Sequence, residues 1–274
     1  MTARPNLRVL CFGDSLTAGY SCWGSVHHPY NEMLENMLSM AYPDLKITTV
    51  EDGLSGSTVK HEFLSRMNTQ FAAPKKKKQD EGPDGKRYDW AIVLGGTNDL
   101  ALGFPPEDIF ETLKEVWDVP LSHQCKVLAL TVPEAGVTGE SRERLDAQRD
   151  KLNNLIRGYK RDNLSRRHVA NFSPPQSHVF DLHKAVPYWG MSESDRRRYW
   201  DDHIHFTPAG YDLIGNKVGI SLVSLLAMEK ANSPQRPQKR RRMFKDDDKE
   251  FEEEGGDPSA INQGYVVVRR ADLE

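Results

Sequence analysis

The sequence predicts an α/β fold in which a five-stranded parallel sheet lies between layers of helices. Two observations predict it. Short runs rich in leucine and β-branched residues alternate along the chain with segments of helical period. Polar, glycine-bearing turns with Ser, Asn, Asp and His follow several of those runs, and open parallel sheets place their chemistry at the carboxyl ends of strands. At 274 residues the chain could hold one large domain or two small ones, and the single repeating pattern favours one.

The first strand is expected over residues 7–12, where Leu7-Arg8-Val9-Leu10-Cys11 forms the first apolar run. A helix over 29–40, a strand over 46–50 and a helix over 58–71 follow. The third strand, over 89–94, holds the most apolar run, Trp90-Ala91-Ile92-Val93-Leu94. The alternation continues with a helix over 106–116, a strand over 126–132, a helix over 142–162 and a strand over 179–182. The last helix, over 208–229, opens with Thr207-Pro208, an N-cap followed by proline at the first helical position. Its Leu213, Val218, Leu222, Leu225 and Leu226 suit a helix packed on a sheet. Five strands with intervening helices fit a flavodoxin-like three-layer sandwich, in one domain over residues 1–230.

Composition bounds the rest. Hydrophobic residues make up 38%, a low figure diluted by a very polar final stretch. A net charge of −3 gives the whole molecule no bias toward nucleic acid or membrane. Three cysteines are too few for a disulfide framework, and Cys11 and Cys125 lie in strand-like runs where a free thiol acts as a small hydrophobe. Residues 1–6 lead into the first strand with no apolar signal region, and no window reaches the length of a membrane span. A reduced, cytoplasmic location is expected, not a secreted one, so the Asn-x-Ser sequons at Asn163 and Asn171 carry no weight.

Two segments break the pattern. Residues 74–86 include Lys75-Lys76-Lys77-Lys78, and no aromatics interleave with the lysines. This reads as a charged surface insertion, not a nucleic-acid patch. Residues 231–274 carry a basic run, Lys239-Arg240-Arg241-Arg242, and then acidic blocks. So little apolar content cannot offset ordering entropy, and a disordered tail is expected. Its basic run is a candidate nuclear localisation signal; the alternative is a solvated tail whose opposite blocks attract. Tyr265-Val266-Val267-Val268 is a brief apolar island within it.

Chemistry gathers in four short stretches. Phe12-Gly13-Asp14-Ser15-Leu16 ends the first strand, and Ser55-Gly56-Ser57-Thr58 follows the second. Gly95-Gly96-Thr97-Asn98-Asp99 follows the third, and Asp202-His203-Ile204-His205 precedes the last helix. Acyl transfer from an ester needs a nucleophile, a base to activate it and donors for the developing oxyanion. Ser15 suits the first role and His205 the second. Asp202, three residues before His205, can reach the imidazole within one loop turn. The residues alone leave other readings open. Asp201, Asp202, His203 and His205 are also zinc-ligand types, while Gly56 and Asn98 are ordinary turn residues.

The ordered set of four stretches resembles the GDSL esterases, also called SGNH hydrolases, over roughly residues 7–230. That resemblance implies the flavodoxin-like fold and serine ester hydrolysis with neither cofactor nor metal. It makes Ser15 the nucleophile and Asp202 and His205 its partners, since Phe206-Thr207-Pro208-Ala209-Gly210 matches the family's continuation after its catalytic histidine. It also implies an oxyanion hole from the Ser15 N–H, the Gly56 N–H and the Asn98 side-chain amide. The expected activity is hydrolysis of a small or short-to-medium acyl ester through an acyl-enzyme. An acyltransferase using the same intermediate is the first alternative. A catalytically silent binding or scaffold protein is the second, although a scaffold would not need the intact set. Tyr20, Trp23, Leu100, Tyr188 and Trp189 are the candidate substrate contacts, on loops at the same sheet edge. The expected partner is a small-molecule ester, with no nucleic acid and no membrane span.

Overall fold

The computed structural model describes residues 5–72, 87–159 and 176–232. The expected insertion at 74–86 and the tail beyond residue 232 lie outside the described residues. The chain divides into two compact units, Met1–Glu229 and Lys230–Glu274, and the first holds all of the sheet. In chain order its elements begin β1 (Asn6–Gly13), α1 (Ser15–Ala18), β2 (Tyr20–Ser21) and β3 (Val26–His27). They continue through α2 (Asn31–Ala41), β4 (Lys46–Gly53), α3 (Leu64–Phe71), β5 (Trp90–Leu94), α4 (Thr97–Ala101) and α5 (Pro106–Ser122). Then come β6 (Lys126–Leu130), α6 (Glu140–Gly158), β7 (Ser177–Phe180), α7 (Leu182–Ala185), α8 (Glu193–Tyr199) and α9 (Pro208–Asn232).

The main sheet has the order β4-β1-β5-β6-β7, and every pairing in it is parallel. Side chains alternate across it with the period of two that a strand imposes. On one face Leu7, Val9, Cys11, Trp90, Ile92 and Leu94 pack with Leu34 and Leu38 of α2 and with Tyr211, Ile214, Val218 and Leu222 of α9. On the other, Leu10, Phe12, Ala91 and Val93 meet Met67 of α3, Ile109 and Trp117 of α5, and Leu152 of α6. Each large apolar side chain withdrawn from water in this way contributes roughly 1.5–3 kcal/mol.

Strand order decides where the site forms. The chain adds β4 on one side of β1 and then β5, β6 and β7 on the other, so the crevice between β1 and β5 is the topological switch point. Gly13 pairs in register with both Gly53 and Leu94. The loops that follow β1, β4 and β5 therefore leave the sheet side by side. Gly13 must be glycine here, because a Cβ would collide with the Leu94 carbonyl and the Thr17 side chain.

Several boundaries differ from expectation, each for a local reason. β6 stops at Leu130 and not at 132, because the Asn153 side chain takes both the N–H and the carbonyl of Val132, at 2.7 and 2.9 Å. β7 is shifted to Ser177–Phe180, since the Asp181 side chain caps α7 by accepting from the Lys184 N–H. The helix expected over 58–71 opens with a π turn, Val59–Phe63, before α3 begins. α5 runs past Pro120 to Ser122, carried through the proline by burial of Trp117 and Leu121. The β2–β3 ribbon, α7 and α8 were not anticipated, although Ser192 three residues before Asp195 is a capping signal that α8 uses at 3.1 Å. α9 corrects another expectation: over Pro208–Ala231 it is long and apolar enough to cross a membrane by length and composition. Its Tyr211, Ile214, Val218 and Leu222 are nonetheless buried against the sheet.

Candidate active site

Ser15 opens the single turn of α1 immediately after β1 and is only 6% exposed. Asp14 caps that turn, its carboxylate accepting from the Leu16 N–H at 2.9 Å. Gly19 closes it in the left-handed region, at φ 72°. The Ser15 Oγ lies 3.0 Å from His205 Nε2. On the far side of the ring, His205 Nδ1 lies 2.8 Å from Asp202 Oδ2. With Asp202 ionised, Nδ1 carries the proton and the lone pair of Nε2 faces the serine hydroxyl. Burial opposes the charge of Asp202, but the backbone N–H and ring of His205 and the Ile204 N–H together hold it below the usual carboxylate range.

The loop bearing Asp202 and His205 is fixed on several sides. The Asp201 N–H donates to the His205 carbonyl at 3.0 Å, and Trp200 bridges to Phe206. The His203 carbonyl accepts from the Gly136 N–H at 2.7 Å. The Asp201 carboxylate accepts from the Cys22 N–H at 2.6 Å, tying the β2–β3 ribbon to the loop. Tyr20 in that ribbon packs its ring on His205, centroid to centroid 4.6 Å, and its carbonyl accepts from the Tyr211 hydroxyl at 2.8 Å. Thr207 caps α9 as expected, its Oγ1 accepting from the Gly210 N–H at 3.2 Å. Of the two histidines in this loop, His205 meets Ser15, whereas His203 Nδ1 lies 3.5 Å from the Tyr188 hydroxyl. Among the described residues no group of three His, Cys, Asp or Glu side chains is placed to hold a metal ion.

Gly56 and Asn98 come from the two neighbouring strand ends. Gly56 sits at φ 79° with open space beside its Cα, a conformation that side chains rarely adopt. The Asn98 amide donates one N–H to the Ser57 carbonyl at 2.9 Å; an amide nitrogen has a second to give. Asp99 is fully buried and accepts from the Val59 and Lys60 N–H groups at 2.9 and 3.0 Å. It therefore anchors the stretch after β4 as well as its own turn, which sequence reasoning missed because the partners lie some forty residues apart.

The five candidate substrate contacts fare differently. Tyr20 touches the triad, and Trp23, with φ 57°, is 92% exposed. Trp189 lies under the Arg142 guanidinium, 3.8 Å from its ring centre. Leu100 and Tyr188 are buried, each packed into one of the two cores.

Asp14 yields a pH prediction. Burial is the main force raising its carboxyl to about 7; the Leu16 N–H opposes the rise and the charge of Asp99 adds to it. Its Oδ2 is buried without a hydrogen-bond partner. In the unfolded chain the group ionises near 4. Between those two values the folded protein holds a proton that the unfolded chain has lost, so this group's contribution to stability falls as pH rises through the window. Asp14→Asn keeps an acceptor for Leu16 and removes the ionisation. Denaturant midpoints at pH 5 and pH 8 should show the wild type losing up to about 3 kcal/mol more than the variant across the interval. Equal losses in the two proteins would mean that Asp14 stays ionised when buried.

Comparison with known proteins bears on the family and the fold. The model of the GDSL-like lipase/acylhydrolase family matches residues 11–213. Among solved structures, a lipase/acylhydrolase from Enterococcus faecalis aligns at 18% identity and a TM-score of 0.54, covering 80% of this chain and 96% of that one. A lipolytic G-D-S-L protein from Veillonella parvula aligns at 18% identity and 0.51, covering 77% and 96%. An acetylxylan esterase from Geobacillus stearothermophilus aligns at 16% identity and 0.50, covering 77% and 92%. No curated protein sequence matches significantly.

Proposed function

Because the chain belongs to the GDSL-like lipase/acylhydrolase family and is thereby a hydrolase of carboxylic esters, we propose that it acts through an acyl-enzyme on Ser15 and takes short-to-medium acyl groups. The observation that carries this reading is the unbroken relay from Ser15 Oγ to His205 Nε2 at 3.0 Å and from His205 Nδ1 to Asp202 at 2.8 Å.

In the first half-reaction Ser15 Oγ attacks the ester carbonyl carbon and passes its proton to His205 Nε2. Asp202 stabilises the imidazolium so formed. The negative charge that develops on the carbonyl oxygen is met by the N–H groups of Ser15 and Gly56 and by the second N–H of the Asn98 amide. The bond to the leaving oxygen breaks, and His205 returns the proton to it. Water then attacks the acyl-enzyme as His205 takes its proton; the bond to Ser15 Oγ breaks, His205 returns the proton to Oγ, and the carboxylic acid departs.

The preference for an acyl chain rests on the rim. Leu54 and Leu102 are large hydrophobics exposed on the stretches that follow β4 and β5 and carry Gly56 and Asn98, and Trp23 is exposed in the turn between β2 and β3. Exposed apolar surface beside a nucleophile favours a substrate that covers it. A series of p-nitrophenyl esters from acetyl to palmitoyl tests this. Specificity, as kcat/KM, is expected to rise from acetyl to butyryl or octanoyl and to fall at palmitoyl. A maximum at acetyl with steady decline thereafter would remove the acyl-chain preference.

A further inference from the structure

We propose that Arg66 is the positioning residue of the oxyanion site, holding its three donor loops at a common spacing. This inference rests on the oxyanion reading given above and adds to it a residue that touches neither substrate nor triad.

Arg66 lies in α3, on the helix side of the β1–β4 strand ends, with its side chain only 15% exposed. Its Nη1 donates to the Gly13 carbonyl at 2.9 Å and to the Ser57 Oγ at 3.1 Å. Its Nη2 donates to the Asp52 carbonyl at 2.7 Å and to the Asp52 carboxylate at 2.6 Å. The guanidinium plane lies over the Phe12 ring, 4.6 Å from its centre.

The hydrogen-bonding partners lie at the strand ends or loops that lead to the donors. Gly13 is two residues before Ser15, and its carbonyl also accepts from the Leu54 N–H at 3.1 Å. Asp52 is the penultimate residue of β4, from which the chain runs to Gly56. Ser57 follows Gly56 and offers its carbonyl to the Asn98 amide. One cation thus joins the stretches bearing the Ser15 and Gly56 N–H groups directly and reaches Asn98 through Ser57. An oxyanion site works by preorganisation, since donors displaced from the developing charge lose most of their effect. The planar guanidinium, with donors in a fixed fork, is suited to holding several acceptors in one geometry. A lysine ammonium supplies the charge without the fork. Asp52 balances the charge and is itself held by the Gln70 side chain at 2.8 Å.

The test uses the full-length chain with p-nitrophenyl butyrate, comparing Arg66→Lys, Arg66→Met, Asn98→Ala and the Arg66→Met/Asn98→Ala double variant. Arg66→Met is expected to lower kcat about 30- to 100-fold and Arg66→Lys about tenfold, both with KM nearly unchanged. The double variant should be little slower than Asn98→Ala alone, because groups that act as a unit are not additive. A merely structural arginine would lower the melting temperature of the variants while leaving kcat within about twofold at permissive temperature, or would multiply its effect with that of Asn98. Either result overturns the proposal. If Arg66→Met does not fold, Arg66→Lys and Ser57→Ala, which removes only the Ser57 hydroxyl from the fork, carry the same comparison against Asn98→Ala. A normal rate in Asn98→Ala would remove the oxyanion reading and this inference with it. A slow Asn98→Ala beside fully active Arg66 variants would remove the inference alone.

Discussion

Replacing Ser15 with alanine is expected to lower ester turnover by about 10⁴- to 10⁶-fold, and His205→Ala should lose a comparable amount. The double variant should be little worse than either, because nucleophile and base act as one unit. The expectation follows from geometry. Ser15 Oγ and His205 Nε2 are 3.0 Å apart, and a serine hydroxyl near neutral pH is a poor nucleophile without an acceptor for its proton. His203→Ala should keep a rate near that of the wild type, since its ring faces the Tyr188 hydroxyl and not the nucleophile. Steady-state rates for the four variants beside the wild type decide the matter. A silent His203→Ala beside an active His205→Ala would move the base two residues up the chain.

Asn98→Ala is expected to lower kcat about a hundredfold or more, roughly 2.7–4 kcal/mol of transition-state stabilisation, with little change in KM. The alternative role, bracing the loop after β4, is present as well, because the amide donates to the Ser57 carbonyl at 2.9 Å. Magnitudes separate the two. A neutral hydrogen bond of that kind is worth about 0.5–1.5 kcal/mol of stability, which lowers the melting temperature by a few degrees but does not slow the chemical step of a folded enzyme. Thermal melts and kcat measured on one preparation therefore report different roles. Early melting with a nearly normal kcat would make Asn98 a brace only.

The relay of Ser15, His205 and Asp202 and the oxyanion candidates were legible in the sequence because each sits in a short contiguous stretch: Ser15, Gly56 and Asn98 where apolar runs give way to polar turns after strands, Asp202 and His205 just before the last helix. The strands themselves were legible through length and composition, with errors where a side chain captured the backbone. Asn153 ending β6 at Leu130 is one such case, and Asp181 capping α7 is another. What escaped depends on register. Arg66 looks like any polar residue of an amphipathic helix until Gly13 and Gly53 are paired side by side, and no local pattern encodes that pairing. The ribbon of β2 and β3 escaped for a different reason. Its strands are two residues long, and the turn between them places non-glycine Cys22 and Trp23 at positive φ.

Covalent labelling tests the central claim, that Ser15 is the activated nucleophile, most directly. The intact chain is treated with a fluorophosphonate and digested, and the modified peptide is identified by mass spectrometry. The relay of Ser15, His205 and Asp202 predicts one phosphonylated serine, at Ser15, with labelling abolished in Ser15→Ala and strongly slowed in His205→Ala. Labelling that persists in Ser15→Ala, or a wild-type protein that hydrolyses esters while its Ser15 stays unmodified, would contradict the account.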